Sequence, residues 1–98
     1  MEMHKALLER HQATNQVVDG KMKRFIMYRR GDISATHNKM QANSSDEAQF
    51  EGVVFSDGTC AIRWLTLVKS TSVWDSFEDA MAIHGHPEYE SELEWVED

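Results

Sequence analysis

The stretch FEGVVFSDGTCAIRWLTLVKSTSVWDSFEDAMAIHGH, residues 50–86, decides the fold. Asp57-Gly58 lies between two runs rich in apolar, β-branched and aromatic residues. This dipeptide signals a hairpin, because glycine reaches the positive φ of a tight turn without steric cost. A two-residue turn puts Ser56 opposite Thr59. Phe55 then meets Cys60, Val53 meets Ile62 and Glu51 meets Trp64 on one face. Val54 meets Ala61, Gly52 meets Arg63 and Phe50 meets Leu65 on the other, and a bulge would shift this register. Both faces are largely apolar, as at the centre of a small barrel or a sheet covered on both sides.

Going outward toward the C-terminus, STSVW (70–74) reads as a further short strand. A helix follows from Asp75 or Ser76, with Ser76 and Asp79 in a capping arrangement. Phe77, Ala80, Met81 and His84 share one helical face. Gly85 stands where a left-handed C-cap is wanted, and Pro87 stops the helix. Residues 88–96 alternate as a final strand. Glu88, Glu90, Glu92 and Glu94 fall on one face, and Tyr89, Ser91, Leu93 and Trp95 on the face that closes the core.

Toward the N-terminus, MKRFIMYRR (22–30) reads as a strand with Phe25, Met27 and Arg29 on one face and Ile26, Tyr28 and Arg30 on the other. A polar stretch, 31–48, separates it from the hairpin, with Ile33 and Met40 as its expected anchors. Loops of this length in compact domains are usually functional or mobile. Residues 2–16 carry Met3, Leu7, Leu8 and His11 at amphipathic spacing, which predicts a short helix. The expected organisation is an N-terminal helical extension over 1–21 and a single domain over 22–98. The fold class is α+β: a small twisted antiparallel sheet or partly open five-stranded barrel, with one helix before the last strand and the N-terminal helix alongside.

The 98 residues suffice for one small core, and 41% apolar with 28% charged residues is ordinary for a globular domain. No apolar run is long enough for a transmembrane helix, and MEMHKALLERHQ lacks the apolar centre of a signal peptide. The lone cysteine, Cys60, excludes an intramolecular disulfide and a Cys-based zinc site. Together these features predict a reducing, intracellular setting, the cytoplasm. The net charge of −7 is unevenly spread. Residues 1–30 sum to about +4 and residues 31–98 to about −11, with no Lys or Arg after Lys69. Net acidity argues against direct nucleic-acid binding, and the polarity makes a homodimer an expectation.

The sequence GVVFSDGTCAIRWL, then STSVWDSFEDAMAIHGH, then a terminal tryptophan strand, resembles small uncharacterised proteins of actinobacteria and their phages. The resemblance covers about residues 50–96. It implies the fold and a phage or bacterial origin, and no reaction.

Two functional readings follow from the residues. In a strand, alternate side chains lie about 6.5–7 Å apart. Glu88, Glu90, Glu92 and Glu94 would thus form a regular line of negative charge, able to imitate a nucleic-acid backbone and dock on a basic protein, such as a host nucleic-acid enzyme. The leading expectation is therefore a non-enzymatic phage-type interaction protein that binds and inhibits a host protein. The alternative is a domain that binds or sequesters a nucleotide-like anion, using Arg63, Trp64, Trp74, His84 and His86 with the 31–48 loop. His84-Gly85-His86 lacks the spacing and third ligand of a metal site. No P-loop, dinucleotide fingerprint, nucleophile elbow or catalytic acid–base pair is present, so no cofactor, metal or catalytic residue is expected.

Overall fold

A computed structural model describes residues 20–31 and 38–97. The expected N-terminal helix and Ile33 lie outside the described residues. Five strands form one antiparallel sheet: β1 (Lys23–Arg29), β2 (Ala48–Val54), β3 (Cys60–Trp64), β4 (Thr71–Trp74) and β5 (Ser91–Val96), in the order β4-β3-β2-β1-β5. β4 and β5 are edges that do not pair with each other, so the sheet is open, not a barrel. One helix, α1 (Phe77–His84), connects the two edges.

The hairpin forms at Asp57-Gly58 but with a three-residue loop. Gly58 N–H donates to Phe55 O at 2.9 Å, Phe55 N–H donates to Thr59 O at 2.7 Å, and Gly58 takes φ +94°. Asp57 Oδ1 accepts from Thr59 N–H at 2.9 Å, which fixes the bend. A left-handed glycine closing such a loop adds one residue relative to the two-residue turn. The register therefore moves by one: Val54 faces Cys60, Val53 Ala61, Gly52 Ile62, Glu51 Arg63 and Phe50 Trp64.

This shift decides what is inside. Alternation puts Phe25, Met27 and Arg29 on the same side as Phe50, Gly52, Val54, Cys60, Ile62, Trp64, Leu93 and Trp95. Phe25, Met27, Phe50, Val54, Cys60, Ile62 and Ala80 are the buried apolar residues. Gly52 pairs with Ile62, not with Arg63 as the two-residue turn predicted. A Cβ there would stand 2.3 Å from Phe25 Cζ and 2.5 Å from Ala61 O, so the Phe25 ring occupies that space. Arg63 lies exposed on the opposite face, across from Glu51, and donates to Thr71 Oγ1 at 3.2 Å.

Ser76 caps α1 as expected, its Oγ accepting from Asp79 N–H at 3.0 Å. Ala80 is buried, and Phe77 and Met81 pack against the core, which agrees with the expected apolar face. Gly85 is not left-handed. It keeps right-handed geometry and donates to Met81 O at 2.8 Å. The reversal falls on His86, at φ 40°, before a 3-10 turn at Pro87–Tyr89. That turn takes up Glu88, and Glu90 after it is also left-handed (φ 54°), so β5 starts only at Ser91.

Gly52→Ala is expected to destabilise the domain by about 2–3 kcal/mol, the range for overpacking a dense core. Chemical denaturation checks this. Adding Phe25→Leu should recover part of the loss, because it removes the ring but not the Ala61 carbonyl. Additive losses would show that the ring does not depend on the missing side chain.

Candidate functional site

At one end of the core face, β1 finishes with Arg29, β3 with Trp64 and α1 with His84. These three, with Gln41, Thr66, Val68, Ser70 and His86, line a cavity of about 350 Å³. Three connections build its walls. Gln49, buried at the bulge where β1 pairing steps from Phe50 to Ala48, donates from Nε2 to Gln41 O at 2.7 Å and accepts from Asn43 N–H at 3.0 Å. Asn43 Nδ2 then donates to Ala48 O at 2.7 Å and Leu65 O at 3.1 Å. These amides hold the end of the polar 31–48 stretch against β2. Met40, an expected anchor, is 45% exposed and is held through its backbone: its carbonyl accepts from Val68 N–H at 3.0 Å and its N–H donates to Asn38 Oδ1 at 2.9 Å.

The second wall is the connection between β3 and β4. Thr66 Oγ1 donates to Val68 O at 2.8 Å, and Lys69 Nζ folds back onto Leu65 O and Thr66 O at 3.2 and 2.9 Å. The third is the turn after α1. Arg30 and Gly31 donate their backbone N–H groups to Glu90 O and Tyr89 O, both at 3.0 Å, and Ser91 Oγ donates to His86 O at 2.7 Å. These bonds set Tyr89 and His86 beside the end of β1.

Arg29 is the centre of the arrangement. It is 5% exposed, with its guanidinium 5.7 Å from the Trp64 ring centroid and 5.1 Å from that of Tyr89. Such contacts are worth about 2 kcal/mol when desolvated, far less than full hydration of the cation. Its Nε is buried without a hydrogen-bond partner. No carboxylate among the described residues forms an ion pair with its side chain. Burial works against its charge, and Tyr89 and Glu88 work in its favour.

The two histidines differ. His84 is half-buried, edge-on to Trp64 and Trp74 with centroids 5.0 and 5.4 Å away. Desolvation, then repulsion from Arg29 and His86, holds it below the ordinary histidine range. His86 stacks on Tyr89, with centroids 4.7 Å apart, and its Nδ1 lies 2.8 Å from Glu88 Oε1. An ionised carboxylate can only accept, so Nδ1 carries the proton and Nε2 is left for other partners. The same hydrogen bond is the main reason that the Glu88 carboxyl sits below its usual range.

Of the five residues of the alternative ligand set, Trp64, His84 and His86 line the cavity, and Trp74 stands against His84 without lining it. The structure separates Arg63, which the one-residue register shift sends to the other face. Arg29 takes the cationic place. Its signal was in the alternation of β1, which already put it beside Phe25 and Met27. The glutamate row is broken: Glu88 and Glu90 belong to the turn, and only Glu92 and Glu94 share a strand. Glu92 Oε2 accepts from Arg30 Nε at 3.1 Å. Among the described residues no three His, Cys, Asp or Glu side chains converge on a point that would hold a metal ion.

A family model described as Acb5 phage protein matches residues 49–97. The chain belongs to that family. The matched half runs from the start of the hairpin through β5, and so includes Trp64, Trp74, His84 and His86. No curated protein and no solved structure gave a match.

The remaining nucleophile-type side chain is Cys60, which burial alone pushes up to about 12. A thiol held protonated is a poor nucleophile. Iodoacetamide at about pH 8 should leave native Cys60 largely unmodified and alkylate it fully in denaturant. Mass spectrometry of the intact chain distinguishes the two, and rapid native labelling would show that the thiol is accessible and ionised.

Proposed function

We propose that this phage protein binds and sequesters a small nucleotide-like anion in the cavity around Arg29, without converting it. One observation carries the reading: a guanidinium removed from water, with an unsatisfied Nε and no counter-ion among the described residues, faces a cavity. A buried cation lacking an anionic partner is costly by several kcal/mol, and an entering phosphate or carboxylate offsets that cost. The remaining lining suits the rest of such a ligand. Gln41, Ser70 and Thr66 offer amide and hydroxyl groups, and His86 Nε2 offers a further polar contact. A cavity of about 350 Å³ is at the small end for ligand sites, which favours a compact molecule over an extended chain.

The aromatic rings limit how the ligand is held. Trp64 is engaged by Phe50, His84 and Arg29, and Tyr89 by His86 and Arg29. They orient the cation and are not free platforms for a base. Recognition therefore falls on charge and N–H geometry. The rival reading, inhibition of a basic host protein through an acidic strand, rested on four glutamates in line, and that line is interrupted at Pro87–Glu90.

Arg29→Met keeps the length of the apolar stem and removes the charge. The expected outcome is unliganded stability equal to or above that of the parent, as when a buried charge gives way to a packed apolar group. In the parent, a nucleoside monophosphate or pyrophosphate at about ten times its Kd should stabilise by about 1.4 kcal/mol. That is several degrees in the melting temperature of so small a domain, and the shift should vanish in the variant. A variant that melts far lower yet keeps the shift would make Arg29 a structural cation and overturn the assignment.

A further inference from the structure

The charge state of the anion can be read from the same cavity, an inference that rests on the anion-binding reading. Three side chains that carry or can carry positive charge face it: Arg29 from β1, His84 from the end of α1, and His86 from the left-handed position after it. No carboxylate among the described residues lines it. His86 is hydrogen-bonded through Nδ1 to Glu88, so a positive charge there would be offset by that carboxylate. His84 has no carboxylate partner among the described residues.

The surroundings of His84 can be taken element by element. β1 presents Arg29. β3 and β4 present Trp64 and Trp74, which do not titrate. The β3–β4 connection presents Thr66 and Ser70, while the Lys69 ammonium is turned onto backbone carbonyls. The turn presents His86, with Tyr89 and Glu88 behind it. The empty cavity therefore holds one permanent cation and opposes a second. An anion of single charge is balanced by Arg29 alone. A doubly charged anion needs one more positive charge, and among the described lining residues His84 is the titratable group without a carboxylate partner that can supply it.

We propose that the cavity is built for a dianion, a phosphate monoester or sulfate-like group, and completes its charge by taking up one proton on His84 as the anion enters. The reaction is an acid–base step: the dianion and one solvent proton enter, and His84 becomes an imidazolium that donates N–H to the anion. No bond in the ligand is broken.

Inorganic sulfate is the suitable probe, because it stays doubly charged throughout the range in which histidine titrates, whereas a phosphate monoester itself titrates near pH 6. Calorimetric titration of the full chain with sodium sulfate, at constant ionic strength and in two buffers of different ionisation heat, reads the protons taken up. The expected result is uptake approaching one proton per sulfate at about pH 7, with affinity rising up to about tenfold per pH unit from about pH 7.5 to about pH 6. Methanesulfonate, similar in shape but singly charged, should bind with little pH dependence. His84→Gln should bind sulfate more weakly and without proton uptake. A proton NMR titration of the parent needs no variant: sulfate should raise the His84 midpoint. Sulfate binding without proton uptake, or uptake that persists in His84→Gln, overturns this inference alone. No binding of sulfate or of any phosphate at any pH overturns the anion-binding reading and this inference with it.

Discussion

The ring of Phe25 fills the space that a side chain on Gly52 would need, and the rest of the fold is arranged around that contact. From there the ring meets Phe50 at 6.5 Å, Phe77 at 5.3 Å and Trp95 at 5.7 Å, all nearly edge-on. One side chain thus ties together β1, β2, α1 and β5. The eight-residue helix is far too short to be stable alone and forms because Phe77, Ala80 and Met81 have this surface to cover. The same contact fixes β1 between β2 and β5, with Trp95 opposite Phe25 and Leu93 opposite Met27.

Once Phe25 and Met27 point inward, Arg29 has no choice of side. Strand alternation carries the guanidinium to the core face at the end of β1. The molecule compensates incompletely, with two aromatic rings and a hydrogen-bonded turn instead of a carboxylate. Apolar substitution at such positions is often neutral or stabilising, so burying this cation is weak as a device for stability. The polar contacts around it, from Gln49 and Asn43 on one side and from Ser91, Arg30 and Gly31 on the other, go to backbone groups that shape the cavity. They leave the cation itself available.

Much of this was legible from alternation and capping alone. The five strands, the face shared by Phe25, Met27 and Arg29, the cap at Ser76 and the apolar side of α1 follow from local pattern. The register did not, because Asp-Gly serves both a two-residue turn and a three-residue turn closed by a left-handed glycine, and only the hydrogen bonds around Phe55 and Gly58 distinguish them. That single residue moved Arg63 off the face that carries Trp64, and so away from the site. The end of α1 was misplaced for a related reason: Gly85 is the residue best able to turn left-handed, yet its N–H remains in the helix and His86 takes the strained position. With Pro87 opening a 3-10 turn, the alternation of glutamates from 88 to 94 matched a strand in sequence without being one in space.

The proposed reading places an anion on a chain with net charge −7, and distance and dielectric reconcile the two. Exposed charges farther away than about 8 Å are largely screened at physiological salt. Most of the acids, Glu51, Glu92 and Glu94 among them, are on the solvated surface and exposed. Arg29 acts across a short, poorly hydrated gap, where the same unit charge counts several times more. The overall acidity therefore slows the approach of an anion and weakens nonspecific contacts everywhere else on the surface. At the end of β1 the balance differs, because Glu88, whose charge favours the Arg29 cation without lining the cavity, is hydrogen-bonded to His86. On the proposed reading, the cavity would discriminate by local charge count, one fixed cation with a second available on protonation, while the acidic surface around it would disfavour anions that do not fit it.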